Sequence, residues 1–241
     1  MPLSKISRFG TLFLIPSSLD QEVSGEFLIN EQKKQLNDLS YFIVEKEKSA
    51  RKMLKKINLN KSIQELHLFA NTQQTTNKDI KKILSPIFNG FSMGLLSDSG
   101  SPCVADPGNK IVAFAHHNGI SIKPLVGPSS IILALMSSGF NGQNFRFRGY
   151  LPRQQESRIK LIKSMEKEII NNGETQIFIE TPYRNKDLFK DLINNLSKEI
   201  NLSLSIDLMT YKEEIISQSI SKWRDLSKIN IDKRLCIFLL N

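Results

Sequence analysis

The stretch that decides the fold is residues 93–117, MGLLSDSGSPCVADPGNKIVAFAHH. Residues 93–97 have the length and apolarity of a buried strand, a loop rich in serine, glycine and proline follows, and residues 110–117 have helical periodicity. This order predicts one strand–loop–helix unit. Because short runs of isoleucine, leucine, phenylalanine and valine alternate with longer amphipathic stretches along the chain, we predict an α/β fold.

The same alternation continues on both sides of this unit. Further strands are predicted at residues 12–15, 41–44, 66–69, 120–124, 144–150, 176–180, 202–209, 215–220 and 235–240. Further helices are predicted at residues 27–37, 49–57, 78–88, 129–138, 156–170 and 185–196. After Gly139 the pattern changes to the alternating phenylalanine and arginine of a half-exposed strand. We therefore predict an N-terminal α/β domain of residues 1–140 and a smaller C-terminal α/β domain of residues 141–241.

The amino-acid composition narrows the classes of function. The chain has 241 residues, 40% of them hydrophobic, and no apolar run approaches the roughly 18 residues that cross a bilayer. The apolar stretch at residues 12–15 is too short for a secretory signal, so we expect a cytoplasmic protein with no membrane contact. Cys103, Cys236 and the three histidines lack the spacing of metal ligands, so no metal site is expected.

The charge balance points to a polyanionic partner without establishing one. Lysine and arginine number 33 against 24 acids, which gives a net charge of +9 and an isoelectric point of about 9.5. Values above about 9 are typical of nucleic-acid-binding domains. Cations scattered over a solvated surface explain the same charge equally well, so both interpretations stay open.

A loop of small residues follows the strand at residues 93–97. Open α/β sheets bind ligands at the carboxyl ends of their strands, and small side chains let a ligand approach the backbone. We therefore assign Asp98 and Ser101 to ligand binding. Asp106 is assigned to structure, as the N-cap of a helix with Pro107 in its first position.

A second such loop, residues 125–130, again joins a strand to a helix. Ser129 and Ser130 lie at the amino end of that helix, where they either bind partial negative charge or only cap the helix. Two loops of this kind suggest one shared crevice. Since neither has the lysine of a phosphate-binding loop, and no Gly-x-Gly-x-x-Gly follows the first strand, nucleoside triphosphatases and ordinary dinucleotide enzymes are excluded.

Two acidic residues lie at the ends of predicted strands, and each is followed by basic residues. Glu180 closes the strand at residues 176–180 and is followed by Arg184, which makes either an ion pair that holds the turn or a functional site. Glu45 follows the second strand and precedes a basic helix that contains Arg51 and could line an anionic groove. The residues alone do not choose between these interpretations.

Five blocks of sequence, taken in order, resemble the tetrapyrrole methylase superfamily. They are Ser97-Asp98-Ser99-Gly100-Ser101-Pro102 with Asp106-Pro107-Gly108, Gly127-Pro128-Ser129-Ser130, Ser138-Gly139, Gly149-Tyr150-Leu151-Pro152 and Glu180-Thr181-Pro182-Tyr183-Arg184. Within the superfamily, the chain is most similar to a short form of the ribosomal small-subunit RNA ribose 2′-O-methyltransferases. It departs from their Glu-Asp-Thr-Arg pattern after the second strand, where it has Glu45-Lys46-Glu47-Lys48.

The resemblance implies an S-adenosylmethionine-dependent methyltransferase of two α/β domains, with the cofactor in the cleft between them, that forms a homodimer. The family pattern places cofactor contacts on Pro16, Ser18, Leu19, Asp98, Ser101, Val104, Ser129, Ser130, Phe178 and Met209. Hydroxyls and an acid would suit the polar ends of that ligand, and apolar walls would suit its adenine.

The predicted reaction is methylation of a ribose 2′-hydroxyl of ribosomal RNA. A ribose hydroxyl must lose its proton, and Glu180 and Glu45 are the candidate bases, with Arg184 and Arg51 holding phosphate or the acid in place. Two alternatives remain open. One is a methyltransferase of a tetrapyrrole or another small anionic substrate, and the other is a non-catalytic RNA-binding protein that kept the fold.

Overall fold

The computed structural model describes residues 9–20, 28–57, 59–72, 74–223 and 229–241. The chain forms two compact units, Met1–Pro128 and Ser129–Asn241. In its described residues each unit has a five-stranded sheet with helices, which confirms the predicted α/β class. Phe27, where the second predicted element begins, lies outside the described residues.

The first unit has a wholly parallel sheet. Its strands are β1 (Thr11–Ile15), β2 (Tyr41–Val44), β3 (His67–Ala70), β4 (Met93–Leu96) and β5 (Ser121–Pro124). Its helices are α1 (Asn30–Asn37), α2 (Glu47–Ile57), α3 (Asn77–Ile83), α4 (Ser85–Phe88) and α5 (Asn109–His117). The strand order is β3-β2-β4-β1-β5 with every neighbouring pair parallel, so that β1 lies between β4 and β5.

The chain leaves β1 and β4 in opposite directions across this sheet. It runs from β1 through α1 to β2, beyond β4, and from β4 through α5 to β5, beyond β1. Because such crossovers are right-handed, opposite directions place the helices on opposite faces. Accordingly, Leu36 of α1 packs with Phe42 in one buried cluster, whereas Ile111 of α5 packs with Ile43 in another. The carboxyl ends of β1 and β4 therefore form the switch point at which open sheets bind ligands.

One predicted helix is two in the structure. The stretch at residues 78–88 contains α3 and α4, separated at Leu84, whose φ of −85° and ψ of 4° are not helical. Pro86 has no N–H to donate to a continuous helix, and its fixed φ suits the first turn of a new one. The break is therefore a local consequence of proline.

The second unit has a mixed sheet. Its elements are α6 (Ser130–Ser138), β6 (Phe145–Tyr150), α7 (Gln155–Asn172), β7 (Thr175–Ile179), α8 (Asn185–Asn195), β8 (Asn201–Ile206), β9 (Glu214–Ser219) and β10 (Cys236–Leu240). The strand order is β6-β7-β10-β8-β9, in which β6 and β7 are parallel and the other neighbouring pairs are antiparallel. All five residues of the central strand β10 are buried, in keeping with its uninterrupted apolar sequence.

The units divide at Pro128 and Ser129, earlier in the chain than the boundary predicted after residue 140. The difference is α6, which buries Ile131, Ala134 and Leu135 and packs against β8, β9 and β10. Gly139 ends α6 in the left-handed conformation, with φ 77°. The helical periodicity of the sequence predicted α6. That periodicity does not show which of the two sheets the apolar face of α6 packs against.

A buried ion pair joins α7 to α8. Arg158 Nη2 lies 2.5 Å from Asp191 Oδ2, and the two side chains are only 7% and 6% exposed. Gln155 donates to the other oxygen of Asp191, and Arg158 Nη1 donates to the carbonyls of Pro152 and Arg153. Because each charge has its hydrogen bonds satisfied, the network fixes the loop that enters α7.

Candidate functional site

The loops after β1 and β4 are joined by hydrogen bonds at the switch point of the first unit. The backbone N–H of Ser17 donates to the Gly100 carbonyl over 2.8 Å, and the Gly100 N–H donates to the Ser17 carbonyl over 3.0 Å. The buried Ser17 hydroxyl donates to the Ser97 carbonyl over 2.5 Å, and the Ser97 hydroxyl donates to the Gly100 carbonyl over 2.6 Å. Gly100 has a φ of 70°, which glycine adopts without strain. The start of the predicted binding loop is thus rigidly placed.

The loop after β5 packs against the loop after β1. A Cβ atom at Gly127 would lie 2.1 Å from Pro16 Cγ, so this approach requires glycine. The Ser101 hydroxyl donates to the carbonyl of Pro128 over 3.3 Å. The predicted cofactor residues Pro16 and Ser101 therefore belong to one group of three interlocked loops.

Accessible side chains surround these loops. Ser18 and Leu19 are partly exposed after β1, and Val104 is 47% exposed in the loop after β4. A Cβ at Gly100 would lie 3.3 Å from Leu19 Cδ2, which places that leucine directly over the backbone of the glycine. The first unit thus offers hydroxyls and an apolar wall at its switch point.

Asp98 is held by the residues that begin α2. Lys46 Nζ lies 3.2 Å from Asp98 Oδ2, and the Ser49 hydroxyl donates to Oδ1 over 2.7 Å. The hydrogen bond from Lys46 to Asp98, together with the negative charges of Asp98 and Glu45, raises the pKa of the Lys46 ammonium. The Asp98 side chain remains 25% exposed, and its oxygens have further lone pairs, so it can still accept a hydrogen bond from a ligand.

The contact of Lys46 with Asp98 was missed from the sequence. Lys46 is one of several lysines in its segment, and nothing local distinguishes it. The available signal was its position directly after β2, since β2 and β4 are neighbours in the sheet. The bonds of Ser17 to Ser97 and Gly100 were likewise not predicted, although Ser17 follows β1 as Asp98 follows β4.

The predicted N-cap at Asp106 is wrong. α5 begins at Asn109, and its N-cap is Gly108, whose φ of 145° is accessible only to glycine. A Cβ at Gly108 would also lie 2.7 Å from Cys103 Sγ. Pro107 consequently lies before the helix rather than in its first position. The N-cap of α5 is therefore Gly108 and not Asp106. The Asp-Pro-Gly sequence forms the turn that precedes the helix.

The Asp106 carboxyl lies in an unfavourable environment for its charge. Burial, followed by the negative charges of Glu45 and Asp98, raises its pKa to about 6, and Lys46 offsets part of this effect. Its buried Oδ2 atom has no hydrogen-bond partner among the residues that the structure describes. Asp106 is therefore protonated over part of the physiological pH range.

A cavity of about 290 Å³ lies beside Asp106. It is lined by Asn71, Thr72, Ala105, Asp106, Pro107, Gly108, Asn109 and Lys110. These residues follow β3 and precede or begin α5, and none of them belongs to the predicted cofactor contacts. The cavity thus lies at the second half of the loop after β4, beyond Gly100 and Ser101, which bond to the loops after β1 and β5.

The two predicted catalytic residues of the first unit differ in their surroundings. Glu45 is partly exposed at the end of β2 and lies close enough to Asp106 to raise its pKa. Arg51 Nη2 lies 3.5 Å from Glu47, and Arg51 Nη1 donates to the Ile63 carbonyl over 3.2 Å. The guanidinium therefore connects α2 to the 3-10 turn at Ile63–Glu65, and Glu45 is the more accessible of the two predicted catalytic residues.

In the second unit, Glu180 and Arg184 form an ion pair. Arg184 Nη2 lies 2.7 Å from Glu180 Oε2, and the Glu180 side chain is only 1% exposed. The Thr181 backbone N–H and hydroxyl both donate to Oε1, over 2.7 and 3.2 Å. This arrangement matches the turn-holding interpretation, and it leaves Glu180 little access to a substrate without a local rearrangement.

The remaining predicted cofactor residues, all in the second unit, differ in how accessible they are to a ligand. Phe178 is fully buried and its ring stacks on Phe238 at 5.7 Å, so neither its side chain nor its backbone is exposed to a ligand. Met209 is 42% exposed in the turn after β8, where its φ is 64°. Ser129 is the N-cap of α6 by position but makes no side-chain capping bond, and Ser130 begins the helix. The hydroxyl of Ser129 is therefore not used by the cap.

Two further observations concern the described residues as a whole. No group of three or more histidine, cysteine or acidic side chains within them is placed to hold a metal ion. No helix in the described ranges has both the length and the apolarity to cross a membrane.

Burial raises the pKa of the Cys103 thiol to about 11 and that of the Cys236 thiol to about 12.

Sequence comparison finds relatives along most of the chain, although no family model matches it. The ribosomal RNA small subunit methyltransferase I of Vibrio cholerae is 32% identical over 75% of this chain and 59% of its own length. The protein of the same name from Thermotoga maritima is 30% identical over 66% of this chain and 68% of its own length. A third, from Halalkalibacterium halodurans, is 31% identical over 56% of this chain. The chain spans 45% to 68% of these relatives.

Comparison of structures finds the same fold in more distant proteins. A cobalt precorrin-4 methyltransferase matches with a TM-score of 0.61 and 12% identity, over 96% of this chain and 94% of that one. The uroporphyrin-III C-methyltransferase of Thermus thermophilus matches with a TM-score of 0.56 and 13% identity, over 96% and 92% of the two chains. These likenesses confirm the tetrapyrrole methylase fold. Because the chain covers 68% of the Thermotoga maritima relative at 30% identity, it belongs to the ribosomal RNA small subunit methyltransferase I family, and it has the fold of the tetrapyrrole methylases.

Proposed function

We propose that this protein uses S-adenosylmethionine to methylate a ribose 2′-hydroxyl in small-subunit ribosomal RNA. The observation that carries the proposal is the 30–32% identity to three proteins named as methyltransferases of that RNA. The interlocked loops at the switch point of the first unit support it, because this is where a sheet of that topology binds ligands.

The donor groups of the first unit fit the cofactor. S-adenosylmethionine, when bound, supplies a methyl group on a positively charged sulfur. Asp98 and the hydroxyls of Ser18 and Ser101 suit its amino and ribose groups, whereas Leu19 and Val104 supply an apolar wall. Pro16 shapes this site through its contact with Gly127 and not through a polar group.

Four residues of the second unit are proposed as further cofactor contacts. Ser129 and Met209 are the accessible ones, since the serine hydroxyl does not cap α6 and the methionine is exposed. Ser130 offers its hydroxyl in the first turn of the helix, whereas Phe178 is buried and would support the site from within the core.

Removal of the hydroxyl proton is assigned to Glu45. It is partly exposed at the carboxyl edge of the first sheet, whereas Glu180 is buried and paired with Arg184. In this scheme Glu180 and Arg184 position the turn after β7, and Arg51 connects the basic helix α2 to the segment at Ile63. Alignment of the acceptor and exclusion of water would supply most of the rate, because displacement at a methyl group needs little covalent assistance.

The test measures cofactor binding and methyl transfer separately. Calorimetry gives the Kd for S-adenosylmethionine, and labelled cofactor with small ribosomal subunits from cells lacking this protein gives transfer, followed by mapping of the label. Asp98→Asn should weaken cofactor binding about tenfold or more, because one charge-assisted hydrogen bond is lost. Asp38→Asn, an exposed acid after α1, is the matched control and should change nothing.

Different results would favour the alternatives. Label found only in a small anionic compound would identify a tetrapyrrole-type methyltransferase, and RNA binding without any cofactor binding would identify a non-catalytic relative. Glu45→Gln should lower kcat with little effect on the cofactor Kd. If Glu180→Gln instead abolishes turnover while cofactor binding and folding are intact, the base is Glu180.

We further propose that the protein acts in the cytoplasm as a homodimer. A ribosomal RNA substrate implies the compartment in which ribosomes are assembled, and the family resemblance implies the dimer. Light scattering after size-exclusion chromatography measures the mass directly, and a mass near the 27.4 kDa of one chain at micromolar concentration would refute the dimer.

A further inference from the structure

We infer that the exposed face of α2 binds the phosphate backbone of an RNA strand and guides it to the carboxyl edge of the first sheet. The surface consists of Lys48, Lys52 and Lys55, and is called the α2 stripe below. The inference rests on the proposed function, because it names where the RNA substrate is held.

The α2 stripe follows from the amphipathic pattern of the helix. Ala50, Leu54 and Ile57 are buried against the sheet, which leaves residues 48, 52 and 55 on the outer face. Steps of four and three residues align them along one side of the helix. With a rise of 1.5 Å per residue, the row is about 10 Å long, enough to span two successive phosphates.

The charges of α2 are not balanced within the helix itself. Its sequence, EKSARKMLKKI, has five cations and one acid, and so contains +4 of the net +9 of the chain. That acid, Glu47, pairs with Arg51. Lys48, Lys52 and Lys55 have no ion-pair partner among the residues that the structure describes, and all three are exposed.

This pattern is unfavourable for a helix that serves only the fold. Like charges three or four residues apart repel each other and weaken the helix, whereas acids at the same spacing would strengthen it. Lys48 and Lys52 are such a pair, and so are Lys52 and Lys55. A polyanion removes the repulsion, and each neutralised phosphate releases counterions into solution.

The position of α2 points the stripe to the candidate site. The residues that begin the helix are bonded to the loop after β4, through Lys46 and Ser49 to Asp98. Lys48 therefore lies at the carboxyl edge of the sheet, near Glu45, and Lys52 and Lys55 lead away from it. An RNA strand bound along the α2 stripe would therefore lead to Glu45, the residue proposed as the base.

The basic helix α3 provides a matched control in the same unit. It has three lysines, Lys78, Lys81 and Lys82, all exposed. Its buried Ile80 packs in the cluster on the other face of the sheet from α2. If only the total charge matters, neutralising either set of lysines has the same effect on RNA affinity.

The test compares Lys48→Gln/Lys52→Gln/Lys55→Gln with Lys78→Gln/Lys81→Gln/Lys82→Gln. Binding of protein-free small-subunit ribosomal RNA and of poly(U) is measured by fluorescence anisotropy between 50 and 300 mM salt, with circular dichroism to verify folding. For contacts to two phosphates of a single strand, the slope of log K against log salt should fall by about 1.4, since each contact contributes roughly 0.7. The α3 variant should keep the wild-type slope.

Independent readouts separate this inference from the proposed function. The α2 variant should raise the KM for RNA at least tenfold and leave the Kd for S-adenosylmethionine unchanged. Equal losses in both variants, an unchanged slope in the α2 variant, or a wild-type protein that binds no RNA would overturn the inference. If wild-type protein binds RNA through the stripe but transfers no methyl group, the stripe is upheld and the proposed function is refuted.

Discussion

Replacement of Asp106 by asparagine should stabilise the first unit at neutral pH and not in acid. The carboxyl has a pKa of about 6 in the folded protein, against an ordinary value of 3.8, because it is buried and lies near Glu45 and Asp98. A raised acid pKa means that the folded state prefers the protonated form. Ionisation above pH 6 therefore destabilises the fold, and the cost disappears as the pH falls from 6 towards 3.8.

The size of the effect follows from the shift. About two pKa units correspond to roughly 3 kcal/mol at 1.36 kcal/mol per unit. Because Asp106 is only about half buried, solvent screening reduces this to about 1–2 kcal/mol. Asp106→Asn removes the ionisation, so the variant should be more stable than wild type by that amount at pH 7.5, relative to the difference between them at pH 4.

The measurement must report on the first unit. The single tryptophan, Trp223, lies in the second unit, so its fluorescence is unsuitable. Hydrogen exchange of the β4 amides, followed by mass spectrometry or NMR at both pH values, gives the free energy of opening of the first sheet. A direct carbon-13 titration of Asp106 checks the pKa. A variant whose stability relative to wild type is the same at both pH values would refute the reasoning.

Three further substitutions test the packing described above. Asp191→Ala leaves the charge of Arg158 buried and unpaired and should cost about 3–5 kcal/mol in urea unfolding followed by tryptophan fluorescence; a cost below 1 kcal/mol would contradict the paired geometry. Gly127→Ala places a methyl group on Pro16 and should cost about 1–3 kcal/mol in the first unit, measured by hydrogen exchange, with a further loss of cofactor affinity. Ser17→Ala removes a buried hydrogen bond and should cost about 1–2 kcal/mol by the same measurement, and protection equal to wild type would show that the bond is unimportant.

The sequence indicated the helices and strands closely because their signals are local. The apolar run before Ser97 and the small residues after it predicted β4 and its loop, and the proline at residue 86 contained the information that breaks the helix at residues 78–88. The Asp106 cap failed for a local reason too, since aspartate and glycine both favour helix starts and only the backbone geometry at Gly108 distinguishes them.

Alternating apolar and polar stretches, together with five ordered motifs, thus determined the α/β class, the family and the loops in which to look for a site. Only the tertiary structure decided that β1 inserts between β4 and β5, which brings Ser17 to Gly100 across more than eighty residues of sequence. It also decided that Lys46 pairs with Asp98 and that the ring of Phe178 is in the core. These facts depend on strand order and on burial, which are set by contacts between distant segments and leave no pattern within any one of them.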